Sequence, residues 1–129
     1  MRSETVTIVL PAQQKDVFAY LADIENLPKW ATEFARELRR ENDGYKVVNN
    51  LGEFYFEIHA DEDTGVIDML AGPSKDELAV FPTRAVELRG GGTAYTFTMF
   101  QAPGTPDELF ESQYESLKRE FDNIRAAFS

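Results

Sequence analysis

TPDELFESQYESLKREFDNIRAAFS, residues 105–129, spaces Phe110, Tyr114, Leu117, Phe121, Ile124 and Phe128 alternately by four and three. That is one apolar stripe on a helix running to the C-terminus. The start is marked by Thr105 as a cap, Pro106 at the first helical position and Glu108 closing a capping box. Asp107, Glu108 and Glu111 near the start and Arg125 near the end suit the helix dipole. A stripe of such large side chains needs a surface to bury against, and the residues before it must provide that surface.

Upstream the period falls to two. Residues 34–40, 45–49, 53–61, 66–71, 78–89 and 95–101 read as strands, separated by Asn42-Asp43-Gly44, Asn49-Asn50-Leu51-Gly52, Asp63-Thr64-Gly65, Gly72-Pro73-Ser74 and Gly90-Gly91-Gly92. Short turns between successive strands predict an antiparallel meander. Residues 4–10, with Val6, Ile8 and Leu10 on one face, form an opening strand that Pro11 stops. A short helix over 12–22 carries Val17, Phe18 and Leu21, and a second piece over 23–29 is broken by Pro28 just before Trp30. The order predicts an α+β fold in which a curved antiparallel sheet of about seven strands wraps one long C-terminal helix, with two short helices after the first strand. A helix ~10 Å wide cannot fill the concave face of such a sheet, so a cavity is expected between them.

The chain has 129 residues, 43% hydrophobic and 28% charged, which suits one globular domain over 1–129. With no cysteine and one histidine there is no disulfide, thiolate metal site or multi-histidine site, and no motif asks for a cofactor or metal. A net charge of −10 repels phosphate backbones, so no nucleic acid partner is expected. No run reaches the ~20 apolar residues of a membrane span, and Met1-Arg2-Ser3-Glu4 leads straight into a strand without a signal-peptide pattern. A soluble, cytoplasmic protein, monomer or homodimer, is the expectation. Gly90-Gly91-Gly92 joins two strands, so it reads as a hairpin and not a phosphate cradle. Asp61-Glu62-Asp63 lacks the twelve-residue spacing of a calcium loop. His59 shares the polar face of Tyr55, Glu57 and Asp61 and should face solvent.

The stretch Val17-Phe18-Ala19-Tyr20-Leu21-Ala22-Asp23-Ile24-Glu25-Asn26-Leu27-Pro28-Lys29-Trp30 resembles the "VFxxLxDxxNxPxW" passage of the helix-grip (START-like, SRPBCC) superfamily. That superfamily includes START lipid-transfer domains, the birch-pollen allergen family and the polyketide cyclase/dehydrase family. Gly91-Gly92-Thr93-Ala94-Tyr95-Thr96-Phe97-Thr98, followed by the terminal helix, resembles the same superfamily, so the likeness covers essentially the whole chain. It implies that Trp30 closes one end of the cavity and that the helix from Pro106 is the one gripped. It implies no catalytic residue.

The reading is a small, largely apolar ligand, lipid-like or aromatic, held between sheet and helix. Trp30, Phe56, Ile58, Phe97, Met99, Phe110, Tyr114 and Leu117 are the candidate walls. A two-residue loop at Gly91-Gly92 would set Val86 opposite Phe97 and Arg84 opposite Met99, and a three-residue loop at 63–65 would set Ile58 opposite Leu70. Both registers turn Arg84 and Asp68 inward as a charge pair that orients the ligand; a slip of one residue in either puts the pair in water. Walls otherwise uncharged predict salt-insensitive binding. An alternative is a cyclase or dehydratase acting on an aromatic polyketide-like substrate, with Arg84, Asp68 or Tyr114 as its acid or base. A further alternative is a protein-interaction module whose cavity is packed shut.

Overall fold

The computed structural model describes residues 1–129. In chain order the elements are β1 (Ser3–Leu10), α1 (Gln14–Ala22), a 3-10 turn at Ile24–Asn26, α2 (Leu27–Trp30), β2 (Glu37–Glu41), β3 (Gly44–Asn49), β4 (Gly52–Asp61), β5 (Val66–Gly72), β6 (Ala79–Glu87), β7 (Thr93–Phe100) and α3 (Asp107–Ala127). The seven strands form one antiparallel sheet in the order β1-β7-β6-β5-β4-β3-β2, so the meander brings its last strand back beside the first.

Alternation divides each strand between two faces. Ile8 and Leu10, Tyr95 and Phe97, Thr83 and Ala85, Ile67 and Met69, Phe56, and Val47 are buried on the concave side. Across it lies α3, closest to β1 and α2, while α1 packs against β4, β5 and β6. Phe121 is the hub, stacked on Tyr95 at 5.6 Å and edge-on to Trp30 at 6.4 Å and Phe97 at 6.1 Å. Phe110, Leu117 and Ile124 join it in the core, whereas Tyr114 and Phe128 stay half-buried at the margins of the stripe.

Three local expectations are corrected. The helix cap is Pro106, whose extended backbone lets its carbonyl accept from Phe110 N at 3.1 Å. Thr105 makes no side-chain cap, and its carbonyl instead accepts from Gln101. β2 starts at Glu37, because the backbone of 33–34 donates to a side chain of α3 and not to a strand.

The third correction is one of register. Gly90, Gly91 and Gly92 all adopt positive φ, +92°, +100° and +87°, so the β6–β7 loop spans residues 88–92 and Arg84 faces Thr96 rather than Met99. The β4–β5 loop spans 62–65, setting Ile58 opposite Met69 and Asp68 opposite His59. Gly65 fixes that loop: its φ is +77°, and a Cβ there would sit 2.2 Å from the Ala85 carbonyl oxygen. Both slips are odd-numbered, and with a side-chain period of two each turns its residue to the convex face. Asp68 is half-buried there, and Arg84 is exposed and donates from Nε to the Thr64 carbonyl at 3.0 Å. They form no ion pair. Asp68→Asn and Arg84→Met should therefore each change stability by less than ~1 kcal/mol in urea unfolding. A loss of the ~3–5 kcal/mol that breaking a buried pair costs would contradict this placement.

Candidate functional site

The concave face is incompletely covered. Phe34, Leu38, Phe54, Ile58, Phe81 and Tyr114 pack against the core yet remain half-buried, because α3 lies toward β1 and leaves the β2–β6 side partly open. One concavity, of about 680 Å³, follows from strand lengths. β3 pairs with β4 only from Tyr45↔Phe56 to Asn49↔Gly52, so residues 57–61 of β4 have no strand beside them on that edge. An open groove occupies this place. Ala22 at the end of α1 and Ile24 in the 3-10 turn form one apolar wall, Phe56 and Ile58 the floor, and Tyr45 and Tyr55 the sides. Phe34 packs against Phe56 with ring centroids 5.7 Å apart, so the segment between α2 and β2 supports the floor from behind.

The groove follows a strand edge and is therefore lined from both faces of β4, which brings in the polar face as well. Asp23, Asp43, Glu57, His59 and Lys75 stand around it. Asp23 is committed to capping the 3-10 turn, accepting from Glu25 N at 3.0 Å. His59 Nε2 lies 2.9 Å from Glu57 Oε1, with its side chain 62% exposed, as its place on the polar face predicts. The Tyr45 hydroxyl is raised above the usual phenol pKa by the Glu25 carboxylate beside it. The expectation of uncharged walls is thus wrong for this groove. A smaller concavity of about 310 Å³ between β1 and α3 is lined largely by charged side chains, among them Glu115, Lys118 and Arg119.

No protein-family model matches the chain, and no curated protein sequence matches it. Solved structures do. A START superfamily protein from Mycobacterium smegmatis aligns with a TM-score of 0.69 over 98% of this chain and 96% of its own, at 15% identity. The Zhui aromatase/cyclase from Streptomyces sp. R1128 aligns at 0.67, covering 98% and 90%, at 19% identity. The chain has the helix-grip fold. The Aha1 dimer from Colwellia psychrerythraea is a third similar structure, with a TM-score of 0.71, coverage of 99% and 96%, and 14% identity. The likeness extends end to end, and the gripped helix is α3, as the resemblance of the sequence implied.

Within the helix-grip frame the ten residues named from sequence separate into four groups. Phe56 and Ile58 line the groove. Trp30, Phe97, Met99, Phe110 and Leu117 are buried at 8% exposure or less and pack as core. Tyr114 sits half-buried at the open margin, with Lys118 Nζ 4.6 Å from its ring centroid. Asp68 and Arg84 are on the other side of the sheet and cannot orient a ligand in the concave space.

Two polar groups in the interior were not foreseen. The Tyr95 hydroxyl is fully buried without a hydrogen-bond partner, and desolvation raises its pKa, with Thr83 acting weakly the other way. Glu120, on α3, is 4% exposed and accepts from the backbone N–H groups of Glu33 at 3.0 Å and Phe34 at 2.9 Å. Its position had a signal: it lies three residues after Leu117 and four before Ile124, inside the apolar stripe.

Proposed function

We propose that residues 1–129 form a binding protein for a small, largely apolar molecule, taken up through the groove at the free edge of β4. The observation that carries this is an open groove lined by the half-buried Ile58 and the buried Phe56 beside it, within a helix-grip fold. A volume of about 680 Å³ also falls in the range of small-molecule sites. Lipid-like and aromatic molecules share the chemistry required, which is flat or flexible apolar area with few polar groups to desolvate.

Trp30, sealed beneath Phe121, is a poor reporter for such a site, so an uncharged solvatochromic dye serves better. Nile red should bind saturably with a blue-shifted emission, and Ile58→Lys should weaken it roughly tenfold by placing an ammonium on the floor. Undiminished binding by the Ile58→Lys protein would place the dye elsewhere and remove the groove from consideration. Native mass spectrometry of freshly purified protein then asks directly for a co-purified small molecule.

A second reading, acid–base catalysis on an aromatic polyketide-like substrate, draws on one observation: the His59–Glu57 pair at the groove, a carboxylate-oriented imidazole. Its exposure leaves it without the water exclusion that such chemistry requires, so the binding reading is preferred.

A further inference from the structure

We propose that the ligand of this groove carries an ammonium group, and that Lys75 is an intramolecular occupant of the ammonium's place. The inference rests on the groove being the binding site and adds the charge of what enters it. Lys75 lies in the loop between β5 and β6 and reaches across to the β2–β3 turn. Its Nζ donates to the Asp43 carbonyl, stands 3.7 Å from Asp43 Oδ2 and 5.9 Å from the Tyr55 ring centroid, and would meet a Cβ on Gly44 at 3.7 Å. A carbonyl oxygen, a carboxylate and an aromatic face around one cation are the chemistry of an ammonium site. Beside this place the apolar floor begins, so a molecule with a cationic head and an apolar body matches the groove in both parts.

The surrounding charges favour the same sign. Asp23, Asp43 and Glu57 line the groove, and Glu25 flanks the Tyr45 hydroxyl. Against them stand Lys75 itself, Arg40 opposite Tyr45 on the paired strand, and Lys46, whose Nζ lies 4.7 Å from the Tyr55 ring centroid and 3.5 Å from Glu41 Oε1; His59 is engaged with Glu57. The remainder of the chain adds to the negative field, since its net charge is −10. An anionic amphiphile would meet repulsion at the rim and find the two lysines beside Tyr55 already paired, Lys75 with Asp43 and Lys46 with Glu41.

Three probes with one ring system test this: 1-naphthylmethylammonium, 1-naphthylmethanol and 1-naphthoate, titrated calorimetrically into the intact protein and into Lys75→Met and Asp43→Asn variants. Both substitutions lie on the exposed surface and leave the core untouched. The ammonium probe should bind tightest and the carboxylate weakest. The margin should shrink severalfold as salt rises from about 0.01 M to about 1 M, where the screening length drops to ~3 Å. Lys75→Met, by vacating the place, should strengthen the ammonium probe roughly three- to tenfold and leave the neutral alcohol unchanged. Asp43→Asn should weaken the ammonium probe. The opposite sign, a carboxylate probe that binds best and is lost in Lys75→Met, would make Lys75 an anion-binding residue and overturn the inference. Equal affinity for all three probes, or an ammonium probe indifferent to both substitutions, would also overturn it while leaving an apolar groove intact. Failure of all three, the alcohol included, would remove the groove reading itself.

Discussion

Removing residues 107–129 should leave a chain with no cooperative unfolding transition. The helix contributes four buried anchors, Phe110, Leu117, Phe121 and Ile124, each worth ~1.5–3 kcal/mol by burial. Together they rival the ~5–15 kcal/mol that separates a folded domain from its unfolded ensemble. The loss extends to what the helix covers. Ile8, Trp30, Tyr95 and Phe97 would turn apolar faces to water, and the interior of a curved sheet has no other layer to bury them. Because Phe121 touches Trp30, Tyr95 and Phe97 at once, Phe121→Ala alone should cost ~3–5 kcal/mol, the upper range for a core aromatic. Differential scanning calorimetry and near-ultraviolet circular dichroism read the outcome. A truncated chain that still shows a sharp endotherm would mean that the sheet is stable on its own and that α3 is an appendage.

The architecture was legible because two periodicities carry it. The 3.6 period of 110–128 and the alternation of 45–49, 53–61 and 95–101 belong to side chains whose burial is obligatory, and such patterns survive any uncertainty in loop conformation. The registers were not legible for the converse reason. Where a glycine-rich turn closes is decided by which residues take positive φ, and three consecutive glycines leave several closures open. Gly65 had a further determinant no local reading contains, the carbonyl of Ala85 pressing against it from another strand. An odd-numbered slip exchanges the faces of a strand, so a slip of one residue moved Asp68 and a slip of three moved Arg84 from the interior to the convex face while the element boundaries scarcely changed. The groove was hidden for a related reason: it arises from β3 ending before β4 does, which is a property of two strands together and of neither sequence alone. Phe56 and Ile58 were reachable from alternation, whereas Lys75 and Asp43 meet only once two distant turns are folded.

Glu120 was open to the same stripe that placed its neighbours, and it leads to a pH dependence. Burial raises its carboxyl to about 7, with the Glu33 carboxylate adding to the effect. The two backbone N–H groups and Arg119 pull the other way and do not prevail; Arg119 is engaged with Glu33 through hydrogen bonds of 2.9 and 2.7 Å. A carboxyl that holds its proton more tightly when folded than when unfolded stabilises the fold as it becomes protonated. Its contribution is therefore full below the ordinary carboxylate range near 4.5, falls as pH rises through about 7, and is flat above. The span between those values corresponds to at most roughly 3 kcal/mol. Glu33 is shifted downward, so its own effect, of opposite sign, falls at more acidic pH and leaves the window from 5.5 to 8 to Glu120. Thermal stability should accordingly rise between pH 8 and pH 5.5. Glu120→Gln, which keeps a carbonyl oxygen for Glu33 N and Phe34 N but carries no charge, should flatten that profile and exceed the parent at pH 8 by ~1–3 kcal/mol. Glu120→Ala should fall below Glu120→Gln at every pH, since it leaves both N–H groups without an acceptor. A parent protein equally stable at pH 5.5 and 8, or a Glu120→Gln variant weaker than the parent at pH 8, would show that the carboxylate is solvated well enough to keep its ordinary affinity for the proton. The segment that Glu120 holds carries Phe34 against Phe56 on the floor of the groove, so the Glu120→Ala variant, with that anchor gone, should also bind Nile red less tightly than the Glu120→Gln variant.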